Sequence, residues 1–379
     1  MSSRLPRSLS FIVLLEKNKN HIYRRAVFQN RYGVRNKSRV SDLGRTYKIA
    51  VITGDGIGPE ITEAAIHALG SVGLKLEFTK VAAGLNAWEK YKNQLPQETV
   101  DIIKSSDASL KGPTQTPPGP GSFKSATVTL RQMLDLYANV RPFRSHPGVP
   151  SIHKGVDMVI VRENTEGMYK GLEYNLGDSA LGVRVITRKG SERIAKFAFE
   201  LARREKRKKV TAVHKANVLK ETCGLFRNVC VEVAKSYPDI MFDEMHIDAA
   251  AMRIAMKPQD IDVIVTTNLF GDVLSDECAG IVGGLGIAPS ANVGERFAFF
   301  EAIHGSAPKH AGKWDANPAA IMLSAAMMLK YLGEVDAGAR FEAAIDAVLA
   351  EGKTVTRDLG GKAGTMDFAK AVADKLSQQ

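Results

Sequence analysis

An apolar, β-branched run, Ile261–Thr267, leads into Asn268-Leu-Phe-Gly-Asp272-Val-Leu-Ser-Asp276, and this join constrains the fold more than any other stretch of the 379 residues. The run has the length and branching of a buried strand. Asp272 and Asp276, four residues apart, share one face of the helix that follows. Two hard oxygen ligands thus stand at the carboxyl end of a strand, where open α/β sheets bind ligands. Asp248, a short way upstream, offers a third, and such a set suits Mg²⁺ or Mn²⁺. The plainer alternative is that Asp272 caps the helix and Asp276 is solvated.

Charge is unevenly spread. The formal net charge is +11, of which residues 1–46 carry +9 (eight Arg and three Lys against Glu16 and Asp42), leaving +2 for the rest. A nearly neutral remainder gives no reason to expect a nucleic-acid partner. The Arg-rich, acid-poor leader has the composition of a mitochondrial transit peptide, with an ordinary extension as the alternative. It points to the mitochondrial matrix. Its apolar run, Phe11–Leu15, is too short to span a membrane. Cys223, Cys230 and Cys278 form no C-x-x-C pair, which speaks against zinc or disulfide scaffolding and fits a reducing compartment.

Order is expected from about Tyr47. Ile49–Thr53 reads as a buried strand, followed by Gly54-Asp-Gly-Ile-Gly-Pro-Glu60 and a helix from Ile61. A dinucleotide fingerprint would need glycine where Pro59 stands, so the glycines make a tight turn into the helix. Leu110–Ser122 is too rich in Pro and Gly for helix or strand. It runs into Lys124, Ser125 and Thr127, then a helix carrying Arg131, then Tyr137-Ala-Asn-Val-Arg141-Pro. The strand Met158–Arg162 ends in Glu163-Asn-Thr-Glu-Gly-Met-Tyr169. Arg131, Arg141 and Arg162 each lie near an element's end, where guanidinium forks can converge on carboxylates. Ser191 is a candidate cap for a helix with an Ile194, Phe197, Ala198, Leu201 stripe, and the basic run after it, Arg203–Lys209, suits a helix C-terminus. Val210–Val213 is a short strand ending at Lys215. Phe299–Pro308 reads as a polar loop, and a Met- and Ala-rich helix from Ala319 and a helix around Phe341–Leu349 close the chain.

Taken in order, Gly54–Glu60, Leu136–Pro142, Val161–Glu166, Asn268–Asp276 and His304–Pro308 resemble the β-decarboxylating hydroxy-acid dehydrogenases, specifically the isocitrate dehydrogenase branch, over nearly all of residues 47–379. The resemblance implies an α/β fold, a two-domain open sheet of the isocitrate/isopropylmalate dehydrogenase kind and not a Rossmann fold. Residues 47–136 and 283–379 would form a large domain and 137–282 a smaller, dimerising one. Ser125, Thr127, Arg131, Arg141 and Arg162 would hold the substrate. Asp272, Asp276 and the partner subunit's Asp248 would bind the metal. Tyr169 and the partner subunit's Lys215 would be the acid–base pair. Thr116, Glu301, His304, Gly305, Lys309, His310, Asn317 and Asp358 would hold the dinucleotide. The active chain would be a homodimer or a hetero-oligomer with shared sites, and no membrane is involved.

The polar Lys124, Ser125 and Thr127 favour a third carboxylate, hence isocitrate, over the branched alkyl group of isopropylmalate. Thr127 stands where many isocitrate enzymes have Asn, which keeps homoisocitrate and tartrate-like acids in view. Lys309 and His310 would accept the 2′-phosphate of NADP, whereas Thr354–Gly361 looks like the NAD type; the expectation is NAD. Regulatory chains of this branch lose catalytic residues, and this chain keeps them.

Overall fold

The computed structural model describes residues 44–119 and 121–378. All but the last three residues of the expected leader lie outside the described residues. The chain opens with β1 (Thr46–Ile52), α1 (Gly58–Leu69), β2 (Lys75–Val81), α2 (Leu85–Tyr91), α3 (Gln97–Ser105) and β3 (Ala108–Lys111). Pro59 sits in the first turn of α1, where its fixed φ and missing N–H cost nothing. Next come α4 (Ala126–Met133), β4 (Ala138–Arg144), β5 (Asp157–Glu163) and a hairpin of β6 (Glu173–Asn175) and β7 (Ala180–Gly182). Then follow α5 (Arg188–Arg204), β8 (Lys209–His214), α6 (Thr222–Ala234), β9 (Met241–His246), α7 (Ile247–Met256), β10 (Val263–Thr266) and α8 (Asn268–Val282). The chain closes with β11 (Pro289–Val293), β12 (Ala298–Ala302), α9 (Ala319–Tyr331), α10 (Val335–Glu351) and α11 (Thr365–Ser377).

Ten strands form one mixed sheet in the order β2-β1-β3-β12-β11-β4-β5-β10-β8-β9. The strands β2, β1, β3 and β12 are parallel to one another, as are β5, β10, β8 and β9. Between these two quartets β11 and β4 pair antiparallel with each other and with their outer neighbours. Chain direction therefore reverses in the middle of the sheet, and the residues expected to hold substrate come from the elements around that reversal. Helices cover the quartets, so their inner strands are mostly buried; Val263, Ile264 and Val265 of β10 are fully buried, whereas the edge strands β2 and β9 are largely exposed. The apolar stripe of α5 is buried as read, and α9 is buried nearly all round. No helix among the described residues is long and apolar enough to cross a membrane.

Two local expectations fail for physical reasons. Helix α5 starts earlier than Ser191: Thr187 is its N-cap, its hydroxyl accepting from Gly190 N at 3.0 Å, while Ser191 Oγ donates back to Thr187 O. The stretch read as a polar loop begins as the buried strand β12, because the charge of Glu301 is met inside the protein by Lys111 and Arg131.

Candidate active site

Asp272, on the second turn of α8, is the meeting point. Arg162, 1 % exposed near the end of β5, donates Nη1 to Asp272 Oδ1. Its Nε and Nη2 both donate to Asn268 Oδ1, at 3.0 and 2.7 Å. Gly271 makes this possible, since a Cβ there would stand 2.6 Å from Arg162 Cγ. Arg141, from β4, donates to Asp272 Oδ1 at 3.3 Å and to Ser275 Oγ. Tyr169 closes the group by donating its hydroxyl to Asp272 Oδ2.

Burial drives the electrostatics. It pushes the Arg162 guanidinium down to about 9, with Arg141 and Arg131 adding repulsion. It lowers Arg141 too, against the pull of Asp272. Burial alone would raise the Asp272 carboxyl, but Arg162 and Arg141 outweigh it and hold the group below its ordinary value. Tyr169 is raised, first by burial and then by its bond to Asp272. Asp276 is raised by burial, which the Arg141 charge opposes.

Arg131 is held from behind. Its Nε donates to Asn292 Oδ1 at 2.9 Å and its Nη2 to Glu301 Oε1 at 3.0 Å. Lys111, 1 % exposed, pairs with the other Glu301 oxygen at 2.7 Å. Asn139 and Asn164 both donate to Asn292 Oδ1. Glu301 thus braces Arg131, with both oxygens engaged, where the sequence had placed it on the dinucleotide. Lys111 escaped the sequence reading; its only signal was a lysine at the end of an apolar strand. The three arginines carry more positive charge than their partners return, and Arg141 Nε is buried without a partner among the described residues. An anionic ligand with several carboxylates would complete them.

Ser125 is the N-cap of α4, its hydroxyl accepting from Val128 N at 3.4 Å. Thr127 Oγ1 lies 2.9 Å from Thr114 Oγ1. Lys215 and Asp248 pair with each other at 2.7 Å, and no three His, Cys, Asp or Glu side chains assemble a metal site among the described residues. Asp276 nevertheless fits one: it is an exposed carboxylate with no hydrogen-bonding partner among the described residues, one helical turn from Asp272. Two such carboxylates would begin a six-oxygen hard-cation set, and a further carboxylate from another chain would extend it.

A cleft of about 490 Å³ is lined by His304, His310, Asp315, Asn317, Arg357 and Asp358, among others. Burial lowers His304, and its Nε2 is buried without a partner. Asn317 Nδ2 donates to Asp358 at 2.9 Å, and Thr356 to the other Asp358 oxygen at 2.5 Å. Four of the eight residues expected to hold the dinucleotide are thereby brought together. Thr116, Gly305 and Lys309 do not line this cleft.

Guanidiniums and a tyrosine thus surround Asp272, with Asp276 one turn on, and His304, Asn317 and Asp358 line a cleft of their own. Residues 48–372 match the model of the isocitrate/isopropylmalate dehydrogenase family, and the chain belongs to that family. It is 52 % identical over 329 residues to a 3-isopropylmalate dehydrogenase of Archaeoglobus fulgidus, covering 87 % of this chain and 99 % of that one. It is 50 % identical over 334 residues to an isocitrate/homoisocitrate dehydrogenase of Thermus thermophilus, covering 87 % and 98 %. The solved isocitrate dehydrogenase of Methylococcus capsulatus superposes with a TM-score of 0.85 at 48 % identity, covering 88 % of this chain and all of that one.

Proposed function

We propose that this chain oxidises and decarboxylates isocitrate with NAD, using Mg²⁺ or Mn²⁺. The observation that carries the reading is the convergence of Arg141, Arg162 and Tyr169 on Asp272. Arg131, Arg141 and Arg162 bind and orient the substrate's carboxylates, held rigid by their buried partners. Asp272 and Asp276, with the partner subunit's Asp248, would hold a divalent ion, whose chemistry there would be to polarise the substrate hydroxyl and neutralise developing negative charge. His304, Asn317 and Asp358 would hold the dinucleotide, which would supply the hydride acceptor. The partner subunit's Lys215 takes the hydroxyl proton, and Tyr169 returns a proton to carbon. Its position beside Asp272 and its raised pKa suit it to hold that proton until it is needed.

Two chains per site follow from the same reading. Lys215 and Asp248 bond each other on one chain, and α7 and α8 expose Met252, Met256, Leu269 and Val273, an apolar face for a second copy. Residues 1–46 are assigned a mitochondrial targeting role on their charge, and the family match begins only at residue 48. Import of the full chain into isolated mitochondria, with the chain lacking residues 1–43 left outside, tests that assignment.

A second reading, 3-isopropylmalate as substrate, is favoured by one observation: the Thr127 hydroxyl is occupied by Thr114, and Val128 beside it is half-buried and apolar. Turnover of isocitrate, homoisocitrate and 3-isopropylmalate by purified protein, each with NAD or NADP and with Mg²⁺ or a chelator, separates the readings. Preference for 3-isopropylmalate would overturn the first.

A further inference from the structure

The Gly54–Glu60 turn lends Ile57 to the lining of the cleft, and it also sends two buried carboxylates to two different loops. Asp55 is 2 % exposed and Glu60 4 %. Asp55 accepts the backbone N–H groups of Leu85 and Asn86, each at 2.8 Å, and of Gln115 at 2.6 Å. Glu60 accepts those of Gly312 and Trp314, the latter at 2.8 Å. Burying a charge is costly unless hydrogen bonds repay it, and here backbone N–H groups do so. The turn itself cannot shift. Gly54 and Gly56 have φ of +72° and +58°, and a Cβ would lie 2.1 Å from Pro113 O at the first and 1.9 Å from Ser306 O at the second.

The two carboxylates lead to different halves of the site. Gln115 follows Thr114, which holds Thr127. Leu85 and Asn86 open α2, whose Trp88 stacks on Phe123 with ring centroids 4.9 Å apart. Both routes from Asp55 reach residues 123–127, the stretch read above as meeting the substrate's variable group, and the Gln115 side chain also accepts from Ser306 at 3.3 Å. Gly312 and Trp314 instead belong to the loop that supplies His310, Asp315 and Asn317 to the cleft.

We propose that Asp55 and Glu60 are positioning residues with separate duties, Asp55 fixing the hydroxy-acid side of the site and Glu60 the dinucleotide side. The inference rests on the function proposed above. In Asp55→Asn, three N–H groups face an amide with one acceptor oxygen, and in Glu60→Gln two N–H groups do.

Kinetics with isocitrate and 3-isopropylmalate, together with calorimetric binding of NAD⁺ and NADP⁺, tests it. Asp55→Asn should raise the KM of the acid that is turned over by about tenfold, the loss of a charge-assisted hydrogen bond, and leave the dinucleotide Kd within about twofold. Glu60→Gln should do the reverse. The chain's two tryptophans lie one on each anchored segment, so the emission of Trp88 (in Trp314→Phe) should respond to Asp55→Asn, and that of Trp314 (in Trp88→Phe) to Glu60→Gln. Both constants moving together in both variants, or neither moving, overturns the division of duties. Should a variant fail to fold, amide hydrogen exchange in the wild-type protein decides. Dinucleotide should slow Gly312 and Trp314, and hydroxy acid should slow Leu85, Asn86 and Gln115; an equal response to either ligand overturns the proposal. Wild-type protein that binds neither ligand overturns the functional reading, whereas a normal wild type with undivided variants overturns this inference alone.

Discussion

Lys215 Nζ lies 2.7 Å from Asp248 Oδ1, so the two residues expected to serve another subunit's site form one ion pair on their own chain. The bond lowers the Asp248 carboxyl, and the pair is presented as a unit by the ends of β8 and the start of α7. Lys215→Met and Tyr169→Phe should each be inactive. Mixing them under conditions of subunit exchange should restore about a quarter of all sites, since one of the two sites in a mixed dimer carries neither defect. Full exchange, seen by mass spectrometry, with no activity regained would place both residues in the same chain's site.

Asp276 has no hydrogen-bonding partner among the described residues, so its removal should cost little stability and most of the metal affinity. Asp276→Asn is expected to melt within a few degrees of the wild type and to lose turnover at limiting Mg²⁺. Normal activity at limiting metal would remove Asp276 from the ligand set.

Lys111 neutralises a buried carboxylate. Lys111→Met leaves Glu301 with Arg131 as its one cation and should destabilise the fold by about 3 kcal/mol, the usual scale for breaking a buried pair. Denaturant unfolding measures this. Turnover of the surviving folded fraction should also fall, because Arg131 loses its fixed support.

The same pair sets an acid limit. Burial alone would raise the Glu301 carboxyl, but Lys111 and Arg131 bring it down to about 2 from an ordinary 4.5. A group whose pKa is depressed by folding contributes stability above its unfolded value and loses it as pH falls toward its folded value. Stability should therefore decline between about pH 4.5 and 2. Glu301→Gln, less stable at neutral pH, should show a shallower decline across that window in pH-dependent chemical unfolding.

The sequence was legible where chemistry is written in short local strings. The strand-to-helix join at Asn268, the proline opening α1 and the three arginines all stand where their neighbours implied. What escaped it depends on partners far along the chain. Glu301 looked like a loop residue because its compensating charges are Lys111 and Arg131, 190 and 170 residues away. Thr187 was passed over as the cap of α5 because Ser191 stands closer to the apolar stripe, and only backbone φ and ψ decide between them. The pairing of Lys215 with Asp248 is likewise invisible in spacing, since 33 residues, including α6 and β9, separate the two in the chain.

The guanidinium of Arg131 is braced inside the protein, while Lys124 beside it in sequence is exposed and Ser125 and Thr127 are partly so. On the proposed reading, the parts that grip what all substrates share are locked into the core, and the parts that meet what differs lie on a surface segment. Such a layout separates durability from choice. A lineage can retune its diet through a handful of surface replacements without endangering the folded state, and relatives at about half identity that carry three different substrate names are what that freedom would leave behind. For an engineer it marks residues 122–128 as the dial and the buried network as the chassis.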